Sequence, residues 1–222
     1  MIKTSASLLA CRLSDISREL DRCKAANVDW IHFDVMDGVF VDQISYGSPV
    51  LRSVRAATDM FLDVHLMVET PAAQVKFFAE AGADLISFHI ESRCEPAELL
   101  KEIRSLGIRS ALAVKPKTPI EAVFPYLPLC DMVLVMTVEP GYGGQAFIPG
   151  TLDKIRSLRK RAEETGLAAL DIEVDGGING ETSSLVREAG ANVLVAGTGL
   201  FKAADMAEAN LMLKAPQKGA LC

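Results

Sequence analysis

The stretch "DWIHFDVMDGVF" carries two ionisable side chains, His32 and Asp34, inside a run that is otherwise apolar. Residues two apart in a β-strand share a face, so these two side chains and Met36 should point to the same side. Burying a charged or polar group without a partner is unfavourable. The run therefore predicts either a hydrogen-bonded pair in the core or one part of an active site.

Two further runs repeat this design. The stretch "FLDVHLMVE" places Asp63 and His65 on one face of a predicted strand, and "DIEVDGGIN" ends its apolar part on Asp175 with Glu173 two residues before it. Together the three runs offer two histidines and several carboxylates on strand faces. Whether these side chains meet depends on the elements that hold them.

Short apolar or β-branched runs alternate with helical patterns along the whole chain. The predicted strands lie near residues 4–9, 30–36, 61–67, 84–89, 108–114, 132–137, 170–175 and 193–197. The sequences "AGADLISF" and "AGANVLVA" are near copies, each with a helix end, a glycine and a strand. Eight such units without a linker predict one domain over residues 1–222, a single (β/α)8 TIM barrel with a frayed tail at 215–222. An open doubly wound sheet is the alternative.

Capping residues and prolines predict where some helices begin. Ser14 or Asp15 should cap the first helix, and Thr70 followed by Pro71 should begin the helix before the fourth strand. Three prolines within residues 118–130 leave room for only a short fifth helix.

In a barrel the helices cover the outside, so polar side chains on the strands must point inward, and active sites lie at the carboxyl ends of the strands. This geometry predicts one site for a single divalent cation, which could be zinc, iron, manganese or cobalt. Its predicted ligands are His32, Asp34, His65 and Asp175. The alternative is a buried polar network without a metal ion. Asp63 and Glu173 lie one layer deeper, where structural hydrogen bonds are expected.

Three methionines share the inward pattern close to the strand ends: Met36, Met67 and Met136. They either fill the core or form an apolar floor that lowers the local dielectric around the site. His89 also points inward, from the fourth strand. It lies either beside the substrate or in the packed core.

Glycine-rich segments follow the sixth, seventh and eighth strands: "EPGYGG", "DGGIN" and "AGTGLF". Phosphate groups bind in TIM barrels where the loops after strands seven and eight expose backbone amides at a helix start. The segments therefore predict a phosphate pocket. Its predicted residues are Gly143, Gly144, Gly176, Gly177, Gly197 and Thr198.

The formal net charge of the 222 residues is -6, which disfavours nucleic-acid binding because no basic excess displaces counterions. The five cysteines are scattered and include no CxxC, which predicts a reducing compartment and neither disulfides nor a thiolate zinc site. No apolar run approaches the roughly 20 residues of a membrane span. We expect a cytoplasmic protein with a small-molecule partner, no nucleic acid and no membrane.

Six motifs, in this order and spacing, resemble the ribulose-phosphate 3-epimerase family along nearly the whole chain. They are "SASLL" (5–9), "HFDVMDGVFV" (32–41), "LDVHLMVE" (62–69), "VMTVEPGYGGQAFIP" (135–149), "EVDGGIN" (173–179) and "VAGTGLF" (195–201). The resemblance implies a phosphate-binding barrel that interconverts D-ribulose 5-phosphate and D-xylulose 5-phosphate. It also implies one divalent metal ion per subunit and no organic cofactor.

The resemblance also implies roles for individual residues. Asp34 and Asp175 would exchange the proton at C3 of the ketose phosphate as well as bind the metal, and Ser7 would contact the substrate. The expected substrate-binding set is Ser7, His65, Met36, Met67 and Met136. Members of the family assemble into dimers or hexamers, so a homo-oligomer is expected.

The sequence departs from the family pattern on segments that face the substrate. The family commonly has a proline at the position of Ala6, and its loop "DGHFVPN" reads "DGVFVDQ" here, with Val39, Asp42 and Gln43 as the changes. Lys115 stands where many members have asparagine. No predicted metal ligand is altered. The departures leave open a second substrate for the same chemistry, such as D-allulose 6-phosphate.

Two other functions compete with epimerisation. Decarboxylases of similar barrels carry Asp-x-Lys-x-x-Asp on the third strand, but after Asp63 this chain has His65 and Val68, so the lysine and second aspartate are absent. A non-catalytic sugar-phosphate-binding barrel is the other alternative. It would not require the full set of ligands and acid–base carboxylates.

Overall fold

Eight parallel strands close into one barrel, in which each strand pairs with the next in chain order and the last pairs with the first. This computed structural model describes residues 1–215. The strands are β1 (Lys3–Ser7), β2 (Trp30–Met36), β3 (Phe61–Met67), β4 (Leu85–His89), β5 (Arg109–Val114), β6 (Met132–Met136), β7 (Asp171–Asp175) and β8 (Val193–Ala196). The predicted (β/α)8 barrel is confirmed, and the open sheet is wrong. Apart from Ala215, the predicted tail lies outside the described residues.

Helices surround the barrel and pack their apolar faces on its outer side. They are α1 (Ile16–Ala25), α2 (Ser48–Ala57), α3 (Val75–Glu80), α4 (Pro96–Ser105), α5 (Thr151–Glu164), α6 (Thr182–Glu188), α7 (Thr198–Phe201) and α8 (Met206–Lys214). Leu20 of α1, Leu51 of α2 and Leu158 of α5 are almost fully buried in the layer between helices and sheet. Among residues 1–215, no helix combines the length and the apolar character needed to cross a membrane.

One helix start differs from the sequence expectation, one is as expected, and the proline-rich segment has its own geometry. Residues Pro71–Ala73 form a 3-10 turn, so α3 begins only at Val75. The short fifth helix predicted for the proline-rich segment is the 3-10 helix Ile120–Leu129; in an α-helix the ring of an internal proline would clash with the carbonyl four residues earlier. Asp15 does precede α1, although its side chain accepts no capping hydrogen bond.

The register between β2 and β3 sets the layers inside the barrel. It pairs His32 with Asp63 and, one layer higher, Asp34 with His65. Because alternate side chains point inward, both polar pairs face the barrel axis. The pair nearest the carboxyl end lies where TIM barrels carry their active sites.

Charged side chains close the opposite, amino-terminal end of the barrel around Asp171. Its carboxylate accepts hydrogen bonds from Lys3, Arg109 and Asn192 at distances of 2.7–2.8 Å. Lys3 also lies 4.8 Å from the centre of the Trp30 ring. Burial opposes ionisation of Asp171, but the three donors together hold the pKa of this carboxyl below its usual value. The network thus stabilises the end of the barrel remote from the candidate site.

We expect Asp171→Asn to lower the free energy of unfolding by about 1–3 kcal/mol at pH 7, because it weakens hydrogen bonds to a charged acceptor. Since the folded pKa is depressed, this contribution is present above the unfolded pKa near 4 and is lost as pH falls through the folded pKa. Thermal melts of both proteins at pH 7 and pH 3 measure the difference. Asp153→Asn, which removes an exposed charge paired with Arg156, is the matched control. Equal destabilisation by Asp171→Asn at both pH values would contradict this account.

Candidate active site

The two histidines and two aspartates predicted from the sequence meet at the carboxyl ends of β2, β3 and β7. Asp34 Oδ1 lies 3.2 Å from Nε2 of His32 and 3.3 Å from Nδ1 of His65. One ligand atom from each of these residues and one from Asp175 all lie within 4.8 Å of one another. The structure therefore brings the whole predicted metal-ligand set to one place.

This group of four side chains fits a divalent cation. Ligand atoms at about 2.1 Å from a common zinc ion stand about 3–4 Å apart, close to the spacing between Asp34 and each histidine. Nε2 of His32 is buried, and although Asp34 Oδ1 lies 3.2 Å away, the nitrogen makes no hydrogen bond to it or to any other group in residues 1–215. A cation among the four residues would satisfy this nitrogen. Two imidazoles and two carboxylates suit zinc, iron, manganese or cobalt.

A second pair of carboxylates lies directly beneath this group. Asp63 Oδ2 is 2.6 Å from Nδ1 of His32, and Ser5 Oγ donates to the same oxygen at 3.3 Å. Asp63 therefore makes the structural hydrogen bonds expected from its depth. Neither oxygen of Glu173 has a hydrogen-bond partner within residues 1–215, unlike the expectation for this residue. Burial, and then the neighbouring Asp63, raise the pKa of Glu173 well above its ordinary value.

The environments of the two candidate acid–base carboxylates push their pKa values apart. Burial alone would raise the pKa of Asp34, but His32 and His65 beside it hold the pKa well below the usual range. Burial and the charge of Asp34 raise the pKa of Asp175 to about 6. One carboxylate is therefore stabilised in its ionised form and the other in its protonated form, as in many acid–base pairs.

Two serines fix the orientation of Asp34. Ser7 Oγ, at the end of β1, donates to Asp34 Oδ2 at 2.8 Å. Ser45 Oγ, in the loop after β2, donates to the backbone carbonyl of Asp34 at 2.7 Å and accepts from the N–H of Met36 at 3.0 Å. The sequence analysis assigned Ser7 to substrate contact and did not find Ser45, which lies outside the strand pattern.

A cleft of about 810 Å³ opens above the four side chains, within the size range of small-molecule sites. Ser7, Asp34 and Asp175 reach its surface. The three methionines also line it, but they do so in two separate clusters: Met36 packs with Met67, whereas Met136 packs with residues of β5 and β6. They form two apolar walls and not one continuous floor.

The glycine-rich loops after β6, β7 and β8 form the other side of the same cleft. All six residues predicted for phosphate binding line it: Gly143, Gly144, Gly176, Gly177, Gly197 and Thr198. At Gly177 the backbone has φ +66, and an added Cβ would lie 2.6 Å from the backbone nitrogen of Phe147. Two of the loops therefore approach each other as closely as only glycine allows.

The sequence model of the ribulose-phosphate 3 epimerase family matches residues 3–201, which span almost the whole barrel. The chain belongs to this family. It is accordingly an epimerase acting on carbohydrates, and thus an isomerase.

Individual relatives agree with this membership. The chain is 42% identical over 221 residues to the ribulose-phosphate 3-epimerase, cytoplasmic isoform, of Oryza sativa subsp. japonica, covering 98% of this chain and 95% of the rice protein. It is 44% identical over 210 residues to the ribulose-phosphate 3-epimerase of Synechocystis sp., covering 94% and 91%. The solved structure of KGPDC from Streptococcus mutans has a TM-score of 0.69 at 14% identity, covering 96% of each chain. This likeness shows the shared fold alone.

The structure adds polar residues to the epimerase cleft that sequence reasoning missed. Lys202, Asn179 and Thr182 line it. Lys202 could have been found from its spacing, because it lies one helical turn after Thr198, at the end of α7. Asn179 lies at the end of a motif already quoted, but nothing in the pattern distinguished it from a turn residue.

Proposed function

We propose that this epimerase interconverts D-ribulose 5-phosphate and D-xylulose 5-phosphate with one divalent metal ion, by proton transfer at C3 between two carboxylates. The observation that carries the proposal is the grouping of one ligand atom from each of His32, Asp34, His65 and Asp175 within 4.8 Å. The two aspartates come from β2 and β7, which lie three positions apart around the closed barrel. They can therefore act on opposite faces of one carbon atom.

Inversion at C3 needs a base on one face of the carbon and an acid on the other. The depressed pKa keeps Asp34 ionised at neutral pH, whereas a pKa near 6 lets Asp175 exchange between its ionised and protonated forms close to neutral pH. For one epimer the ionised Asp34 removes the C3 proton and Asp175 returns a proton on the opposite face. For the other epimer the two residues exchange roles. Ser7 holds Asp34 in place through its 2.8 Å hydrogen bond.

The four ligand residues would hold the cation, and when bound it supplies a Lewis acid that stabilises the negative charge developing next to the ketone. Met36, Met67 and Met136 line the cleft beside this position, and their apolar surface lowers the local dielectric, which strengthens electrostatic interactions with that charge. Only a proton moves in the reaction, so it needs no redox or organic cofactor.

The phosphate end of the substrate fits the opposite side of the cleft. The loops after β7 and β8 are where TIM barrels bind phosphates, and all six predicted glycine and threonine positions line the cleft there. Lys202 adds a positive charge at the same side. We propose that backbone amides and Lys202 together bind the phosphate, which explains how a chain with net charge -6 takes an anionic substrate.

The positions of the altered loop residues support the pentulose over a hexulose. Val39, Asp42 and Gln43 replace the family pattern, yet none of the three lines the cleft in residues 1–215. The side chain of Val39 is 72% exposed. These substitutions therefore place no altered side chain in the cleft. We propose D-ribulose 5-phosphate as the substrate and D-allulose 6-phosphate as the alternative.

Family membership also bears on assembly and location. We propose a homo-oligomer, a dimer or a hexamer, because the family that the motifs resemble assembles in this way. A cytoplasmic location is supported by the name of the rice relative. It is also supported by four free cysteines among the described residues: Cys11, Cys23, Cys94 and Cys130.

Treatment of the purified protein with a strong chelator should abolish turnover of D-ribulose 5-phosphate, and adding zinc, manganese, cobalt or ferrous ions should restore it. In heavy water the product should carry one deuterium at C3, because a proton from a solvent-exchanging carboxylate replaces the original hydrogen. The value of kcat/KM should be higher for D-ribulose 5-phosphate than for D-allulose 6-phosphate. Coupled assays and proton NMR measure these quantities.

A different result would contradict each part of this proposal. Full activity in protein shown by elemental analysis to contain no metal would refute the metal requirement. Product without deuterium at C3 would refute proton exchange with the carboxylates. A higher kcat/KM for the hexulose phosphate would leave the chemistry in place and replace the substrate.

A further inference from the structure

A third histidine lies directly behind one of the proposed metal ligands. Nε2 of His89, on β4, is 2.9 Å from Nε2 of His65, and both side chains are fully buried. Two imidazole nitrogens at this distance share one hydrogen, since two N–H groups would clash and two lone pairs would repel. The contact therefore couples the tautomers of the two rings: if one nitrogen carries the hydrogen, the other carries the lone pair.

The far side of His89 determines which ring donates. Its Nδ1 is 3.1 Å from Oε2 of Glu91, and the other oxygen of Glu91 accepts the backbone N–H of Lys115 at 2.9 Å. An ionised carboxylate only accepts hydrogen bonds, so the hydrogen of His89 lies on Nδ1 and its Nε2 has the lone pair. His65 must then donate from its own Nε2. This leaves the Nδ1 lone pair of His65 facing Asp34 Oδ1 at 3.3 Å, and these two acceptors attract each other only through a cation bound between them.

We propose that Glu91, acting through His89, is a positioning residue that fixes the tautomer of His65 so that its Nδ1 can bind the cation. The inference rests on the proposed metal site. It parallels the contact at the other histidine ligand, where Asp63 accepts from Nδ1 of His32 at 2.6 Å and leaves Nε2 for the cation. Carboxylates that orient metal-binding histidines in this way are general in proteins. Here the carboxylate reaches His65 through an intervening imidazole.

The surroundings of His89 keep water from replacing this connection. The ring of Phe40, from the loop after β2, lies 4.8 Å from the ring of His89, and Nζ of Lys115 lies 3.7 Å from the centre of the Phe40 ring. Phe40 therefore covers part of the His89 ring, which is fully buried. Glu91 is the acceptor that remains for its Nδ1–H.

Glu91→Gln tests the inference, because the amide has one acceptor and one donor where the carboxylate has two acceptors. If the amide oxygen keeps the Lys115 N–H, the NH₂ group must donate to Nδ1 of His89. The hydrogen of His89 then moves to Nε2 and that of His65 to Nδ1, against the cation. We expect the affinity for Zn²⁺, measured by competition with a chromophoric chelator, to fall about 10- to 100-fold.

Tautomers can be read directly without metal or substrate. The chain has three histidines, so long-range ¹⁵N NMR of metal-free, histidine-labelled protein resolves each ring. In the unmodified protein we expect the hydrogen on Nε2 of His65 and on Nδ1 of His89. In Glu91→Gln both should move to the other nitrogen. A hydrogen on Nδ1 of His65 in the unmodified protein would overturn the inference.

The same substitution made in a His89→Gln protein distinguishes positioning of His65 from a general loss of stability. In His89→Gln the amide oxygen can accept from Nε2 of His65 whatever residue stands at position 91. Adding Glu91→Gln to this background should therefore leave Zn²⁺ affinity unchanged, although it lowers the affinity when His89 is present. Equal losses in both backgrounds, or none in either, would overturn the inference.

Glu98→Gln, which removes an exposed charge on α4 next to Lys101, is the matched control and should change neither the tautomers nor the affinity for Zn²⁺.

Failure of the proposed function can be distinguished from failure of this inference. If the unmodified protein binds no Zn²⁺ while its tautomers are as expected, the metal proposal is refuted, whereas the hydrogen-bonded chain from Glu91 to His65 stands.

Discussion

Replacing Asp34 or Asp175 with asparagine should lower kcat for the interconversion of D-ribulose 5-phosphate and D-xylulose 5-phosphate by about 10²–10⁴-fold. Asparagine has nearly the same shape as aspartate but cannot accept a proton from carbon. Both variants should be assayed at saturating Zn²⁺, because each residue is also a proposed metal ligand and a weaker affinity would otherwise add to the loss. Initial rates at several metal concentrations separate the two effects.

The two variants should differ in which epimer still exchanges its C3 hydrogen with solvent. Each epimer presents this hydrogen to one carboxylate, and that residue can remove and return a proton without help from the other face. Asp34→Asn should therefore retain slow deuterium exchange in one epimer, and Asp175→Asn in the other, with no conversion between epimers. Proton NMR of each sugar in heavy water measures this complementarity.

Asp153→Asn, on the exposed face of α5, is the control for both aspartate variants and should retain full turnover. Circular dichroism should show that all three proteins are folded. Turnover within tenfold of normal in either active-site variant would remove the two-carboxylate mechanism. Exchange in both epimers by one variant alone would instead indicate that a single carboxylate serves both faces.

The candidate site was predictable because it follows a strict alternation on strands. His32 and Asp34 share a face with one residue between them, and His65 repeats the pattern on β3. Once the barrel is inferred, the inward direction and the carboxyl-end position follow without further information. The position of Asp175 could be predicted from the end of β7 alone, which is marked by the glycines that follow it.

The connection from Glu91 to His65 could not be predicted in the same way. His89 was recognisable as inward-facing, but its partner nitrogen depends on ring orientations and a 2.9 Å contact between strands. Glu91 lies beyond the end of β4, where alternation no longer fixes the direction of a side chain. Such contacts depend on packing between elements, which local patterns do not contain.

Helix starts were predicted less well than strands for a related reason. Thr70 and Pro71 carry the signals of a helix start, yet the first turn has 3-10 geometry and the α-helix begins only at Val75. A cap and a proline favour a helical turn without choosing its hydrogen-bond spacing. Both Pro71 and Val75 are buried, so the packing of this segment, which local signals do not contain, also acts on where the α-helix begins.

Gly177→Ala should raise KM for the sugar phosphate by about 10- to 100-fold, with a smaller effect on kcat. At φ +66 the new Cβ would lie 2.6 Å from N and 2.8 Å from Cα of Phe147, atoms of the backbone that cannot rotate away. The loop after β6 must therefore move away from the loop after β7, and both loops line the cleft. Losing one or two hydrogen bonds to a charged phosphate weakens binding by about 1.5–3 kcal/mol, which corresponds to this change in KM.

Gly107→Ala separates the effect of the contact from that of the backbone conformation. Gly107 has φ +78, similar to Gly177, but nothing lies within 4 Å of an added Cβ, and the residue does not line the cleft. This control should therefore show only the strain of a left-handed alanine, about 1–2 kcal/mol of unfolding free energy, with KM unchanged. Steady-state kinetics and thermal melts of both variants give the comparison. An unchanged KM in Gly177→Ala would mean that the close approach of the two loops does not shape the phosphate end of the cleft.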